Sequence, residues 1–522
     1  MEIALRLASW ILYTLLKIST PIFWILNWIE PPKIPASNDP ILTQSAAQLA
    51  EKIRNRQITS ESVVKSFIKR IKQVNPLINA VVDERFDAAL NEAKNCDKIL
   101  ETGELSVDEI AKNKPLFGVP FTVKESCGLK GMSFTGCSAV RYGIKASDDS
   151  FIVEKMKKAG AIALCVTNTP EMCSGFESTN LIYGTTKNPY DGRYSAGGSS
   201  GGEGALIGAG ASLIGIGSDV AGSIRVPALF NGVFGHKPTP GIISIKGHYP
   251  MSTNSIFQKF LVLGPMTRYA KDLHLSMKIM TSECNENLML DDKIDFSNLK
   301  IYVVPECGRG FGIIPTHKNI QNVLNRAADY LKKKGSKVSY PIIENLDEAS
   351  EIALTEFFGM PDVPPILLKP KNSDDDVNSG LEFLKSLVGA SQYSKSAIFM
   401  SIVRDLNGLI RISKASMYTK KGQRLKENLK KLLGNDGVLF CPTFTHSAPL
   451  IGQTVFLTTS AIYCMLCNCI GFPSTHVPMG LDDNGMPIGF QVIAAPNKDR
   501  LCLAVAIELE KGFGGWVPPS TS

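Results

Sequence analysis

The chain has 522 residues, 44% of them hydrophobic and 20% charged, with a net charge of +7. That is ordinary globular usage, which excludes a disordered or fibrous chain, and the length leaves room for about three domains. The charge is mild for the size, and with no long basic block and no nucleic-acid motif it argues against nucleic acid as a partner.

Residues 7–28 (LASWILYTLLKISTPIFWILNW) hold one charge, Lys17, and three of the four tryptophans, Trp10, Trp24 and Trp28. A run of this length can cross a bilayer, and tryptophan favours the membrane interface. Lys17 and Pro21 interrupt a simple span, so an interfacial helix, a bent hairpin and a cleaved signal peptide stay open beside it. Residues 1–30 thus form an N-terminal membrane-associated segment, and the proline-rich EPPKIPASNDP opens a linker over 31–44. Residues 45–56 carry helix-spaced apolar side chains. Thr59 or Ser60 caps a second helix, which Asn75-Pro76 ends. Residues 79–104 read as a short strand followed by a helix. Residues 116–123 (LFGVPFTV) have the pattern of a buried strand with Lys124 at its end. A helix over 151–158, closed by Gly160, leads to a strand over 161–166. This alternation argues for α/β architecture with much parallel sheet. Residues 345–435 are less patterned and include an acidic loop (KNSDDDVNSG). The basic run KKGQRLKENLKK, 420–431, fits a solvated helix face. Strands over 437–441 and 487–494 and a helix over 499–511 close the chain. Cys464, Cys467 and Cys469 sit in an apolar run without the second pair that a zinc site needs, and read as core.

Residues 196–230 (AGGSSGGEGALIGAGASLIGIGSDVAGSIRVPALF) contain ten glycines and five serines. No lysine follows at P-loop spacing, and GxGxxG fails after both Gly208 and Gly215, so nucleotide binding is disfavoured. GxSxG fits around Ser199 and Ser200, but turn-forming residues stand where a nucleophile elbow needs a strand.

Extended over 197–239 (GGSSGGEGALIGAGASLIGIGSDVAGSIRVPALFNGVFGHKPT), this stretch resembles the amidase-signature hydrolases. Further likeness lies in VPFTVKES around Lys124, in VTNTPEM, and in the C-terminal GFPSTHVPMG and GMPIGFQV. Together these cover the soluble part, and the apolar N-terminus makes the chain similar, within that family, to the membrane-associated fatty-acid amide hydrolases. The resemblance implies an α/β fold: a single large domain over 45–515 with a central mixed, twisted β-sheet covered by helices on both faces. It implies no cofactor and no metal. It also implies a Ser-cisSer-Lys triad, with Ser223 as nucleophile, Ser199 as bridging serine after a cis peptide bond, and Lys124 as base. Only a neutral lysine can take the proton, and burial at the end of an apolar strand disfavours the ammonium. The oxyanion would meet the N–H groups of Val220, Ala221, Gly222 and Ser223. Many members carry glycine at the position of Ala221, a mild departure here. Ser200 is expected to hydrogen-bond within the network, Asp219 and Arg225 to pair and hold the loop, and Cys173 to line the acyl site. SAIFMSIV, 396–403, is expected to shape the channel, and none of the six histidines is needed.

The expected partners are a lipid amide substrate, a membrane reached through a single-pass or interfacial N-terminal anchor, and a second copy of the chain as a homodimer. Two other readings stay open: a hydrolase of short or polar amides, such as a glutamine amidase of the kind found in amidotransferases, and an inactive membrane-tethered scaffold.

Overall fold

A computed structural model describes residues 1–308, 310–360, 363–369 and 377–519, so most of the acidic loop, 371–376, lies outside the described residues. The soluble part is built on one mixed sheet. Its strands, in chain order, are β1 (Val81–Glu84), β2 (Pro120–Lys124), β3 (Ile162–Thr167), β4 (Ile214–Asp219), β5 (Phe234–Lys237) and β6 (Val262–Thr267), then β7 (Lys300–Val303), β8 (Lys337–Ser339), β9 (Gly437–Cys441), β10 (Ser474–Leu481) and β11 (Pro487–Ala494). In space they run β1-β3-β2-β4-β6-β5-β10-β11-β9-β7-β8. β2 pairs in parallel with both β3 and β4, and β7 does so with both β8 and β9, while the remaining pairs are antiparallel. Helices flank the sheet, so β2, β3 and β4 are buried along their whole length and read as apolar runs rather than alternating ones. This is the α/β architecture expected from the sequence.

Local rules place the first helices. Helix α1 covers Ile3–Leu26, α2 Ala46–Arg54 and α3 Ser60–Ile78. Ser45 caps α2 in a capping box with Gln48, and the Thr59 hydroxyl accepts the Ser62 N–H at the start of α3. α3 runs past the expected stop at Asn75-Pro76. Pro76 sits in the last turn, and the Asn75 side chain receives the N–H groups of Ala80 and Val81 as the chain leaves. The weakly patterned 345–435 region is helical, with helices at Ala349–Phe358, Ser379–Leu387, Lys395–Asp405 and Ile412–Leu433. The basic run lies in the last of these, whose Tyr418, Leu425, Leu429 and Leu433 face the core.

α1 is long and apolar enough to cross a membrane. It lies on the body of the protein, with Leu5 and Leu16 packed into two core clusters and Glu2, Arg6 and Ser9 buried.

Candidate active site

Because β2, β3 and β4 run parallel and adjacent, their carboxyl ends open at one edge of the sheet, the place where α/β folds gather loops around a ligand. Lys124 is the last residue of β2 and is fully buried. Its Nζ donates to Ser199 Oγ at 2.6 Å and to Ser218 Oγ at 2.9 Å. Ser199 sits in the turn before helix Gly201–Gly208, and the Gly198–Ser199 peptide bond is cis. The surrounding glycines answer a need for close packing rather than for mobility. A Cβ on Gly198 would lie 2.6 Å from Gly175 O, and one on Gly202 would lie 2.5 Å from Asn168 N, both in the loop that follows β3.

Ser223 lies in the turn between β4 and helix Arg225–Phe230, and its carbonyl accepts the Ser200 N–H at 3.0 Å. At 8% exposure it is the most accessible of the three expected triad residues. Ser200 also points its hydroxyl at Ser218 O, 3.4 Å away. The turn is shaped by Asp219, whose carboxylate accepts the N–H groups of Gly222 at 2.7 Å and Ile224 at 3.0 Å. Arg225 grips the same carboxylate through Nε at 3.1 Å and Nη2 at 3.0 Å, and reaches Gln491, Cys464 O and Asn468. Burial works against a charge at Asp219, but the Arg225 guanidinium and the N–H donors outweigh it and hold the carboxyl at about 2. Gly222 has φ +118, and a Cβ there would come 2.7 Å from the Cβ of Cys464, so a bare backbone is required. Of the four expected oxyanion donors, the Gly222 N–H is thus engaged by Asp219. Those of Val220, Ala221 and Ser223 meet no protein acceptor among the described residues.

Two residues of this network go beyond those expected, Ser218 inside the glycine-serine stretch and His248 outside every motif. Ser218 bridges Lys124 to His248, whose Nε2 lies 2.9 Å from Ser218 Oγ and 3.2 Å from Ser126 Oγ. His248 Nδ1 faces Pro250 O at 2.8 Å, so a neutral ring carries its hydrogen there and offers Nε2 as an acceptor. No motif marks the HYP tripeptide, and only the fold brings it to the strand edge. Cys173, at φ +57, borders the same group. Burial pushes its thiol up, but Lys124, His248 and Ser126 draw it down to about 6.

The edge opens into a cavity of about 530 Å³ whose walls are almost wholly apolar. Ser199, Ser218, Ser223, His248 and Cys173 are among its polar lining residues, as are Ser9, Arg404 and Thr459, and Val220 and Ala221 border it as well. Phe399, Met400, Ile402 and Val403, from the run expected to shape a channel, stand on its wall. The volume is that of a small-molecule site, and the lining suits an aliphatic chain.

The profile of the amidase family matches residues 62–503. The chain is similar to fatty-acid amide hydrolase 2-A of Danio rerio, at 39% identity over 525 residues covering 99% of this chain and 96% of that protein. It is more distantly similar to a glutamyl-tRNA(Gln) amidotransferase subunit of Fusobacterium nucleatum, 26% identical with 90% of this chain and 96% of the relative covered. A solved structure titled fatty acid amide hydrolase superposes with a TM-score of 0.74 at 22% identity, over 96% of this chain and 89% of that one, and so shares the fold. With the profile spanning most of the chain and a relative at 39% identity aligned nearly end to end, the protein belongs to the amidase family and is an amide hydrolase.

Proposed function

We propose that the protein is a membrane-associated serine amidase that cleaves long-chain fatty-acid amides to fatty acid and amine. The observation that carries this reading is the buried Lys124–Ser199 hydrogen bond, 2.6 Å long, standing beside Ser223 at the wall of a deep apolar cavity. Ser223 Oγ attacks the amide carbonyl, and its proton passes through Ser199 to Lys124. The carbonyl π pair moves to oxygen, where the N–H groups of Val220, Ala221 and Ser223 receive it. Gly222 shapes that loop through its bond to Asp219. Collapse breaks the C–N bond, and the leaving amine takes the proton back along the same path. Water then attacks the acyl-enzyme, losing its proton to the relay and restoring Ser223 as the fatty acid departs.

The membrane part of the reading rests on α1. Its charged Glu2 and Arg6 point into the protein, whereas Ile3, Leu7, Trp10, Leu15, Ile18, Ile22 and Ile25 recur at helical spacing on the outside and are exposed. A water-facing helix has the opposite arrangement, and a lipid surface is the medium that such a stripe fits. Docked in this way, α1 lies along the interface rather than across the bilayer.

The test is oleamide hydrolysis by detergent-extracted protein at mildly alkaline pH. Ser223→Ala should lower kcat by more than about 10⁴-fold and Lys124→Ala by about 10³-fold or more. Full activity of Lys124→Ala would move the base elsewhere. Ammonia release from glutamine or other short amides, with oleamide untouched, would replace the lipid substrate by a polar one.

A further inference from the structure

Besides its outward stripe, α1 presents Leu5, Ala8, Ser9, Ile11 and Leu12 to the acyl cavity. Ile11 and Leu406 line the cavity and also reach the surface, 43% and 55% exposed, so the mouth lies between α1 and the segment around Leu406. Three sets of contacts hold α1 in place. Arg6 donates from Nε and Nη2 to the two Glu351 oxygens at 2.8 and 2.7 Å, and from Nη2 to Asp347 O at 2.5 Å. Glu2 pairs with Arg411 at 3.1 Å and Lys414 at 3.0 Å. The Ser9 and Thr459 hydroxyls meet at 2.9 Å. Glu351 is fully buried, so withdrawing Arg6 would strand its charge away from water. The body of the protein is also shaped around the helix, for a Cβ on Gly312 would lie 2.4 Å from Arg6 O.

We infer that α1 is part of the substrate site, a wall and doorpost of the acyl cavity that sets which chain lengths are accepted, and not a detachable anchor. This rests on the fatty-amide reading given above. Each methylene buried against Leu5, Ala8 and Leu12 adds to the binding of a long chain and adds nothing for a short one. The inner face of α1 therefore governs the ratio of long-chain to short-chain turnover, while its outer face governs attachment to lipid.

The experiment uses the full-length protein at one fixed detergent concentration, with Ala8→Phe to fill the wall and Leu12→Ala to open it. Neither substitution touches the outer stripe. Long-chain and short-chain alkyl fluorophosphonates label Ser223, and the ratio of their labelling rates is read. Ala8→Phe should lower that ratio about tenfold, with the short probe changed less than about twofold, and Leu12→Ala should shift it by a smaller factor. A ratio unchanged in both variants, or equal loss for both probes, overturns the assignment of α1. Equilibrium binding of cis-parinaric acid, a fluorescent long-chain fatty acid, reads the same wall without chemistry. Wild-type protein that binds it, and loses it about tenfold in Ala8→Phe, yet neither reacts with a probe nor cleaves an amide, would sink the amidase reading and leave the wall standing. Binding equal in wild type and Ala8→Phe would remove the wall and leave the amidase reading to its own test.

Discussion

At the carboxyl edge of β2, β3 and β4 Lys124 and the Ser223 loop are fixed by polar neighbours, whereas the cavity beside them is walled by apolar side chains from several separated parts of the chain. Lys124 is held by two hydroxyls, the Ser223 loop by Asp219, and Asp219 by Arg225 and Asn468. The cavity takes residues from α1, from the loop after β3, from the Ser223 loop, from 248–257, from the 345–435 region and from 458–465. The first region must keep a few atoms within tenths of an ångström, and directional hydrogen bonds can do that. The second must exclude water along a flexible chain, which dispersion and shape do without fixed directions. Chemistry and selectivity are thus separable here, and mutations can strike one without the other.

The hardest blow to the polar edge is Arg225→Ala. It leaves Asp219 buried without its cation and strips partners from Gln491 and Asn468. The expected cost is about 3–5 kcal/mol in a denaturation experiment. The pH dependence sharpens the point. Asp219 is depressed in the folded protein, to about 2 from an ordinary 3.8, so its contribution is complete above about pH 4 and is lost as the pH falls toward 2. Without Arg225, burial raises the carboxyl instead, and the loss should begin at higher pH. A variant as stable as wild type, with an unchanged acid limb, would show that the loop is held by other means.

A gentler blow is His248→Ala. The ring meets Lys124 through Ser218, so in the proposed mechanism it positions the base and does not replace it. The expected outcome is about a tenfold fall in kcat, with the long-to-short chain ratio unchanged and partial recovery in His248→Gln, whose carbonyl can accept from Ser218. A changed chain ratio with kcat intact would place His248 with the cavity instead.

The same division explains what the sequence disclosed. The strand ending at Lys124 is mostly apolar, so the α/β class could be read from the pattern, and Lys124, Ser199 and Ser223 lie inside contiguous motifs, so the resemblance could assign an expected triad residue by residue. The Asp219–Arg225 pair was legible too, since the two flank one turn. His248 was not, because nothing local distinguishes a histidine in a loop from one that the sheet carries to a lysine. Nor was the place of α1. Its composition states that it avoids water, but its buried partner Glu351 lies 345 residues away and its wall-mates are spread over 345–409. Long-range packing of this kind leaves no period in the chain.

Cys173 stands on the border between the two regions, and it offers the smallest effect and the finest test. It lines the cavity, yet against the upward push of burial its thiol is drawn to about 6 by its neighbours Lys124, His248 and Ser126. At nearby Cys127 burial outweighs the pull of the same Lys124 and Ser126, and the thiol is pushed up to about 12. Cys173→Ser should leave amide turnover within about threefold, since the thiol takes no part in the transfer. Alkylation by iodoacetamide is the informative measurement, because only the thiolate reacts. A depressed value means that the thiolate is lost as the pH falls. The labelling rate at Cys173 should therefore be level above about pH 6 and drop below it, and Lys124→Ala should move the midpoint upward. A rate in wild type that keeps rising through the ordinary thiol value of 9.0 would mean that these neighbours do not draw the thiol down, and would assign Cys173 wholly to the apolar side.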